Sequence, residues 1–176
     1  MYRRTRIVVL ATAVVSLLSA SSLVPASAST SSRALCSSKT FRCVSGTGFH
    51  GQSVWGSWGP GHNCVSYAAY RLMHNGATDP WDSPAGDASQ WDDDARAAGV
   101  RVDHVPAVGA IAQWDIGRYG HVAYVERVTV RDIEISEDSY VNDRAGFSSV
   151  RLLSRTGTEF AAADFLHFHD VATFRR

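Results

Sequence analysis

Cysteine is scarce in this chain of 176 residues, and the count is odd: Cys36, Cys43 and Cys64 are the only three. So few thiols exclude a disulfide-stapled scaffold, where cysteines come in larger, even sets. Excess charge is missing too, because 17 basic side chains balance 17 acidic ones. Without a basic patch there is no electrostatic footprint for nucleic acid, and no polybasic tail is present to grip a membrane. The apolar run Ile7 to Leu18 falls short of a membrane span, which takes about 20 residues. No internal repeat occurs, which removes solenoids and propellers from consideration.

What is present begins with an export pattern. Arg3, Arg4 and Arg6 form a basic start, Ile7 to Leu18 an apolar middle, and Ala26-Ser27-Ala28 a small-residue cleavage site. Residues 1–28 are therefore predicted to be a signal peptide, with the mature chain starting near Ser29. The small, polar flank after Leu23 argues for cleavage over a retained anchor. Arg6-Ile7 stands where a twin-arginine signal prefers two hydrophobes, so general secretion is the expectation. Three arginines and no acids leave with the signal, so 14 basic residues face 17 acidic ones, a net −3. The remainder suits one monomeric domain with a core of its own, secreted and free of membrane.

In an oxidising compartment, cysteines that serve only structure pair off. Cys36 and Cys43 are close enough to bridge locally. Their eight-residue loop is worth about 2.5 kcal/mol on a chain-entropy argument. Residues 29–50 around it are rich in serine, threonine and glycine and read as a loosely ordered, flexible arm. Residues 51–172 are left as the folded domain. Cys64 has no partner, and it opens an amphipathic helix behind Gly59-Pro60-Gly61-His62-Asn63.

That helix is marked by Val65, Ala68, Ala69, Leu72 and Met73 at helical spacing, with Asn63 as N-cap and Asn75-Gly76 as stop. A second is predicted from Ala88 to Ala98 behind Asp87, with Trp91, Ala95 and Ala98 inward and Asp92-Asp93-Asp94 solvated. After Gly99 the pattern turns to strands: Ala110 to Trp114, His121 to Val128, Ile133 to Asp138, Phe147 to Leu153 and Phe165 to His169. Helices first and strands after predict an α+β fold, with N-terminal helices packed on an antiparallel sheet of about five to six strands.

Alternation puts His121, Ala123 and Val125 on one face, and Ile133, Ile135 and Glu137 on one face of the next strand. If both sets face the core, an even pairing sum sets Glu137 beside or diagonal to His121. Glu126 and Glu134 fall on the opposite face. A helix packed on the His121 face would then bring Cys64 to the same place. A thiol, an imidazole and a carboxylate so grouped form a cysteine nucleophile with its base and orienting acid. His167 and His169 form an H-x-H pair, expected to face solvent. Zinc needs three or four ligands, no others lie near, and no metal is expected.

Gly61-His62-Asn63-Cys64-Val65-Ser66-Tyr67 resembles the nucleophile motif of the CHAP family, the cysteine- and histidine-dependent amidohydrolases/peptidases. The run from Val108 to Trp114, then Gly120-His121-Val122-Ala123-Tyr124-Val125-Glu126, resembles its histidine region. Ile135-Ser136-Glu137-Asp138-Ser139-Tyr140 resembles its acidic motif. The resemblance implies a papain-like fold and a secreted or wall-associated enzyme that cleaves amide bonds in bacterial peptidoglycan without a cofactor. It makes Cys64 the nucleophile, His121 the base and Glu137 the orienting acid. Ser139 stands where many members have asparagine. The backbone N–H of Cys64 is one oxyanion donor, and Gln52 or Asn63 are candidates for the second. Trp55, Trp58 and His62 are candidate substrate contacts. A related thiol enzyme, an NlpC-type endopeptidase or transamidase, and a catalytically silent wall-binding module are the alternatives.

Overall fold

Asn63 ends an extended segment and starts the first helix, α1 (Cys64–Asn75), as its side-chain oxygen accepts the Ser66 N–H at 3.1 Å. Gly76 stops it in a left-handed conformation, φ 95°, which spares the backbone a Cβ clash. The computed structural model describes residues 32–54, 60–79, 86–141 and 145–172, so the proposed signal peptide lies outside the described residues. Among the described residues, no helix is long and apolar enough to cross a membrane.

Val65, Ala68, Ala69 and Leu72 of α1 are buried as the spacing predicts, but Met73 is 45% exposed. The buried arc is turned toward Tyr67 and Tyr70 because residues 41–49 lie against the helix. Phe49 sits with its ring centroid 5.1 Å from Tyr67 and 5.3 Å from Tyr70. Residues 32–50, expected to belong to a flexible arm, are packed against the domain instead, and residues 29–31 lie outside the described residues. Ser32–Ser38 form an edge strand, β1; Phe41–Cys43 and Ser45–Thr47 are short 3-10 turns; Val44 and Phe49 are buried. A serine-rich stretch can hold an edge without apolar side chains, because backbone ladder bonds hold it there. The Cys36–Cys43 disulfide ties this strand to the first turn.

The remaining strands are β2 (Val102–Asp103), β3 (Ile111–Trp114), β4 (His121–Val128), β5 (Asp132–Val141), β6 (Ala145–Ser154) and β7 (Asp164–Leu166). They make one sheet of seven strands in the order β1-β6-β5-β4-β3-β7-β2, antiparallel throughout. The α+β class is as expected. The strands beyond the expected five to six are both at edges, where composition says least. The second helix, α2 (Trp91–Ala97), follows a 3-10 turn at Ala88–Gln90 that Asp87 and Gln90 cap reciprocally. Trp91 and Ala95 are buried, whereas Ala98 caps the helix and is exposed, and Asp92 folds in against Arg96 instead of facing solvent. A short α3 (Thr158–Ala161) precedes β7.

The sheet has a core on each side. On one, α1 and Trp91 of α2 cover Ile111, Val122, Tyr124 and Leu166. On the other, Ala123, Val125, Ile133, Ile135, Leu153 and Phe165 pack with Phe160 of α3. The expectation that α1 lies on the His121–Ala123–Val125 face is therefore overturned. Burying both faces of the central strands requires a helix on the Val122–Tyr124 side.

The β4–β5 register also departs from a simple hairpin. Val128 pairs with Ile133 and Arg127 with Glu134, but beyond a bulge at Glu126, Val125 pairs with Ile135 and Tyr124 with Ser136. The even sum holds only past the bulge. Without it, every later β5 side chain would change faces relative to β4, and Asp138, not Glu137, would share the His121 side.

Candidate active site

Cys64 is the first residue of α1, is partly exposed, and has no disulfide. The first N–H groups of a helix lack intrahelical partners, and the helix dipole favours an anion there. Just before it, Gly61 adopts φ 133° and its N–H donates to Gly51 O at 2.9 Å, closing the loop that leads in.

His121 opens β4. Its Nε2 donates to Glu137 Oε2 at 2.8 Å, and the ring lies close enough to Cys64 for the thiol to influence its charge. The imidazole lies nearly parallel to the Trp114 indole, 5.9 Å between centroids, which limits its rotation. Burial disfavours the imidazolium, but the neighbouring Cys64 and Glu137 outweigh that and push its pKa up to about 10.

Glu137 is nearly inaccessible and fully occupied. Arg151 grips it with Nε on Oε1 at 2.6 Å and Nη2 on Oε2 at 3.0 Å, and the Ser149 hydroxyl donates to Oε1. The other arm of Arg151 reaches Glu159 at 2.7 Å. Burial raises the carboxyl's affinity for a proton, yet His121 and Arg151 prevail and hold the pKa at about 2. Ser149 stands directly across the ladder from Glu137, and Arg151 pairs with Ile135 two residues along the same face. The β5–β6 register, not any local motif, is the signal for both.

Cys64 and His121 meet around the end of the sheet, not across one face of it. A groove of about 570 Å³ runs there, lined by Pro60, Cys64, Ala88, Ile116, His121 and Ser139 among others. Cys64 and His121 both line this groove and Glu137 bonds His121, with α1 arriving from the side opposite to the one expected.

Asp138 is the buried partner of the nucleophile loop that sequence reasoning does not pick out. Fully buried on the α1 face, its Oδ2 accepts the Asn63 N–H at 2.6 Å and its Oδ1 bonds His62 Nδ1 at 2.6 Å. Burial pushes this carboxyl up to about 6, against the pull of His62. The His62 ring in turn stacks on Phe41, 4.1 Å between centroids. A signal was available: adjacent acids on one strand point to opposite faces, so the second needs partners of its own.

The other candidates divide. Asn63 and His62 line the groove, as does Ser139. The Asn63 side-chain oxygen is spent on capping and its backbone N–H on Asp138, which leaves the carboxamide NH2 as its free donor among the described residues. Gln52 is not brought to the groove; its NH2 donates to Gly48 O at 2.9 Å and its oxygen accepts the His50 N–H, closing a local turn. Trp55 and Trp58 lie outside the described residues. His167 is buried, not solvent-facing, because Asp103 and Asp170 bind its two nitrogens; His169 is exposed. Among the described residues, no group of three or more His, Cys, Asp or Glu side chains is placed to hold a metal.

A family profile described as CHAP domain matches residues 52–139. Over 54 residues, the chain is 50% identical to the N-acetylmuramoyl-L-alanine amidase sle1 of Staphylococcus aureus strains USA300, COL and MW2. Each of these matches covers 30% of this chain and 16% of the relative, so the chain aligns with about a sixth of their length. A crystal structure of N-acetylmuramoyl-L-alanine amidase from Staphylococcus aureus superposes with a TM-score of 0.49 at 26% identity, over 61% of this chain and 31% of that one.

Proposed function

Because this chain belongs to the CHAP family, we propose that it is an exported, cysteine-dependent hydrolase of amide bonds in bacterial peptidoglycan. The bond between N-acetylmuramic acid and L-alanine is the favoured target, on the strength of the relatives' activity. The observation that carries the reading is one imidazole that shares a groove with Cys64 and is hydrogen-bonded to a clamped carboxylate.

In this reading His121 takes the Cys64 proton, and the thiolate attacks the amide carbonyl to form a tetrahedral oxyanion. The Cys64 N–H at the helix start faces that charge, with the Asn63 carboxamide as second donor. The imidazolium returns its proton to the leaving amine and a thioester remains. Water, deprotonated by His121, then attacks the thioester carbonyl and frees the thiol. Glu137 keeps Nε2 as the donor nitrogen, so that Nδ1 is the one facing sulfur.

Mass spectrometry of fragments released from purified cell walls by the chain from Ser29 onward tests this directly. Release of peptides with a new L-alanine amino terminus is expected. Equal release by Cys64→Ala would remove the thiol from the mechanism, and a different new terminus would replace the bond.

A further inference from the structure

The turn joining β3 to β4, residues 115–120, forms one wall of the Cys64 groove through Ile116, Arg118, Tyr119 and Gly120. Ile116 and Tyr119 are large apolar residues left 59% and 55% exposed, and both lie on this short turn. The turn is nevertheless fixed. Gly120 N–H donates to Ile116 O at 3.1 Å, and Ser89 N–H donates to Tyr119 O at 2.9 Å. Gly120 has φ +71° and lies so close to the next segment that a Cβ would come within 2.4 Å of Ser89 N. Exposed apolar side chains on a preset backbone carry little ordering cost on binding.

Arg118 completes the picture. Arg71, Arg96, Arg101, Arg127 and Arg151 each hold a carboxylate. Arg33, Arg42, Arg118, Arg131 and Arg155 hold none among the described residues, and of these five it is Arg118 that lines the groove; its guanidinium rests against the Tyr119 ring, 5.3 Å from the centroid. Asp87, also on the groove, is spent on the cap of the 3-10 turn. An unpaired planar cation next to an aromatic ring and an aliphatic side chain suits a peptide that carries a carboxylate beside an apolar stretch.

We propose that the β3–β4 turn is a substrate subsite, in which Arg118 binds a free carboxylate of the peptide whose amide is cut and Tyr119 and Ile116 cover its apolar neighbour. This rests on the peptidoglycan reading and refines it: acidic stem peptides are selected over those whose carboxylates are amidated.

The test pairs two ligands, a muramoyl peptide with free side-chain carboxylates and the same compound as carboxamides. Titration calorimetry uses Cys64→Ala, which binds without cleaving, alone and combined with Arg118→Ala, Arg118→Gln or Arg118→Lys. The acidic ligand should bind about fivefold tighter than the carboxamide, a preference that shrinks as salt rises. Arg118→Ala and Arg118→Gln should erase it, and Arg118→Lys should keep part of it. Equal affinity for both ligands, or equal loss for both on substitution, overturns the subsite. Cleavage by the unsubstituted chain is scored separately. Binding that depends on Arg118 without cleavage sinks the hydrolase reading and keeps the subsite, while cleavage without that dependence does the reverse.

Discussion

Two neighbouring carboxyls on β5 sit in opposite electrostatic worlds. Glu137 has a pKa depressed to about 2, so its bonds stabilise the fold fully above its ordinary value near 4.5 and are lost as pH falls from there toward 2. Unfolding free energy should drop across that window, by up to about 3 kcal/mol, and Glu137→Gln should flatten the slope. Urea titrations at stepped pH read this. His121 runs the other way: raised to about 10, its imidazolium bonds are intact below about 6.5 and are lost as pH climbs. Arg151→Met removes a positive charge from beside the His121–Glu137 pair and loosens the carboxylate that orients the ring. The alkaline limb of kcat/KM should move to higher pH and activity should fall at least about tenfold, with partial rescue by Arg151→Lys. A purely structural arginine would leave the limb in place. Asp138, raised to about 6, is a buried acceptor that takes up a proton more readily than an ordinary aspartate. Asp138→Ala leaves the Asn63 N–H unpaired and should cost about 1–3 kcal/mol. Asp138→Asn keeps an acceptor there and should recover most of that, as denaturation midpoints would tell.

At the scale of elements, much was legible and the errors have causes. Helix α1, its asparagine cap and its glycine stop follow from local side chains, and so does β4, whose span His121–Val128 matches the pattern residue for residue. The side on which α1 packs was not legible, because Val122 and Tyr124 are as apolar as Ala123 and Val125 and both faces of β4 are buried. Nor was the bulge at Glu126, a one-residue shift of register that leaves the apolar alternation of β4 unmarked. Arg151 escaped notice because its meeting with Glu137 is a matter of strand register. The groove turn gives a prediction at this scale. Gly120→Ala forces a left-handed φ on alanine and a backbone clash with Ser89, so it should destabilise by about 2 kcal/mol or more. A lowered melting temperature and loss of activity would accompany it, whereas an unchanged melt would contradict the close approach.

For the molecule as a whole, the segment before the CHAP match is part of the machine. Phe41, held between the disulfide and β6, stacks on His62 beside the nucleophile loop. Replacing Cys36 and Cys43 together by serine should lower stability by up to about 2.5 kcal/mol and reduce turnover, since Phe41 loses its tether. Calorimetry and wall-release rates measure the two effects separately. The order of synthesis adds a consequence. The first strand among the described residues, β1, finds its ladder partner in β6, where Ser32 meets Leu153, so this sheet edge must wait until residue 153 has been made. The sulfurs of Cys36 and Cys43, seven positions apart, need wait for nothing. Short loops close more readily than long ones, so that pair can lock before the sheet edge forms, and its early closure takes both rival sulfurs away from Cys64.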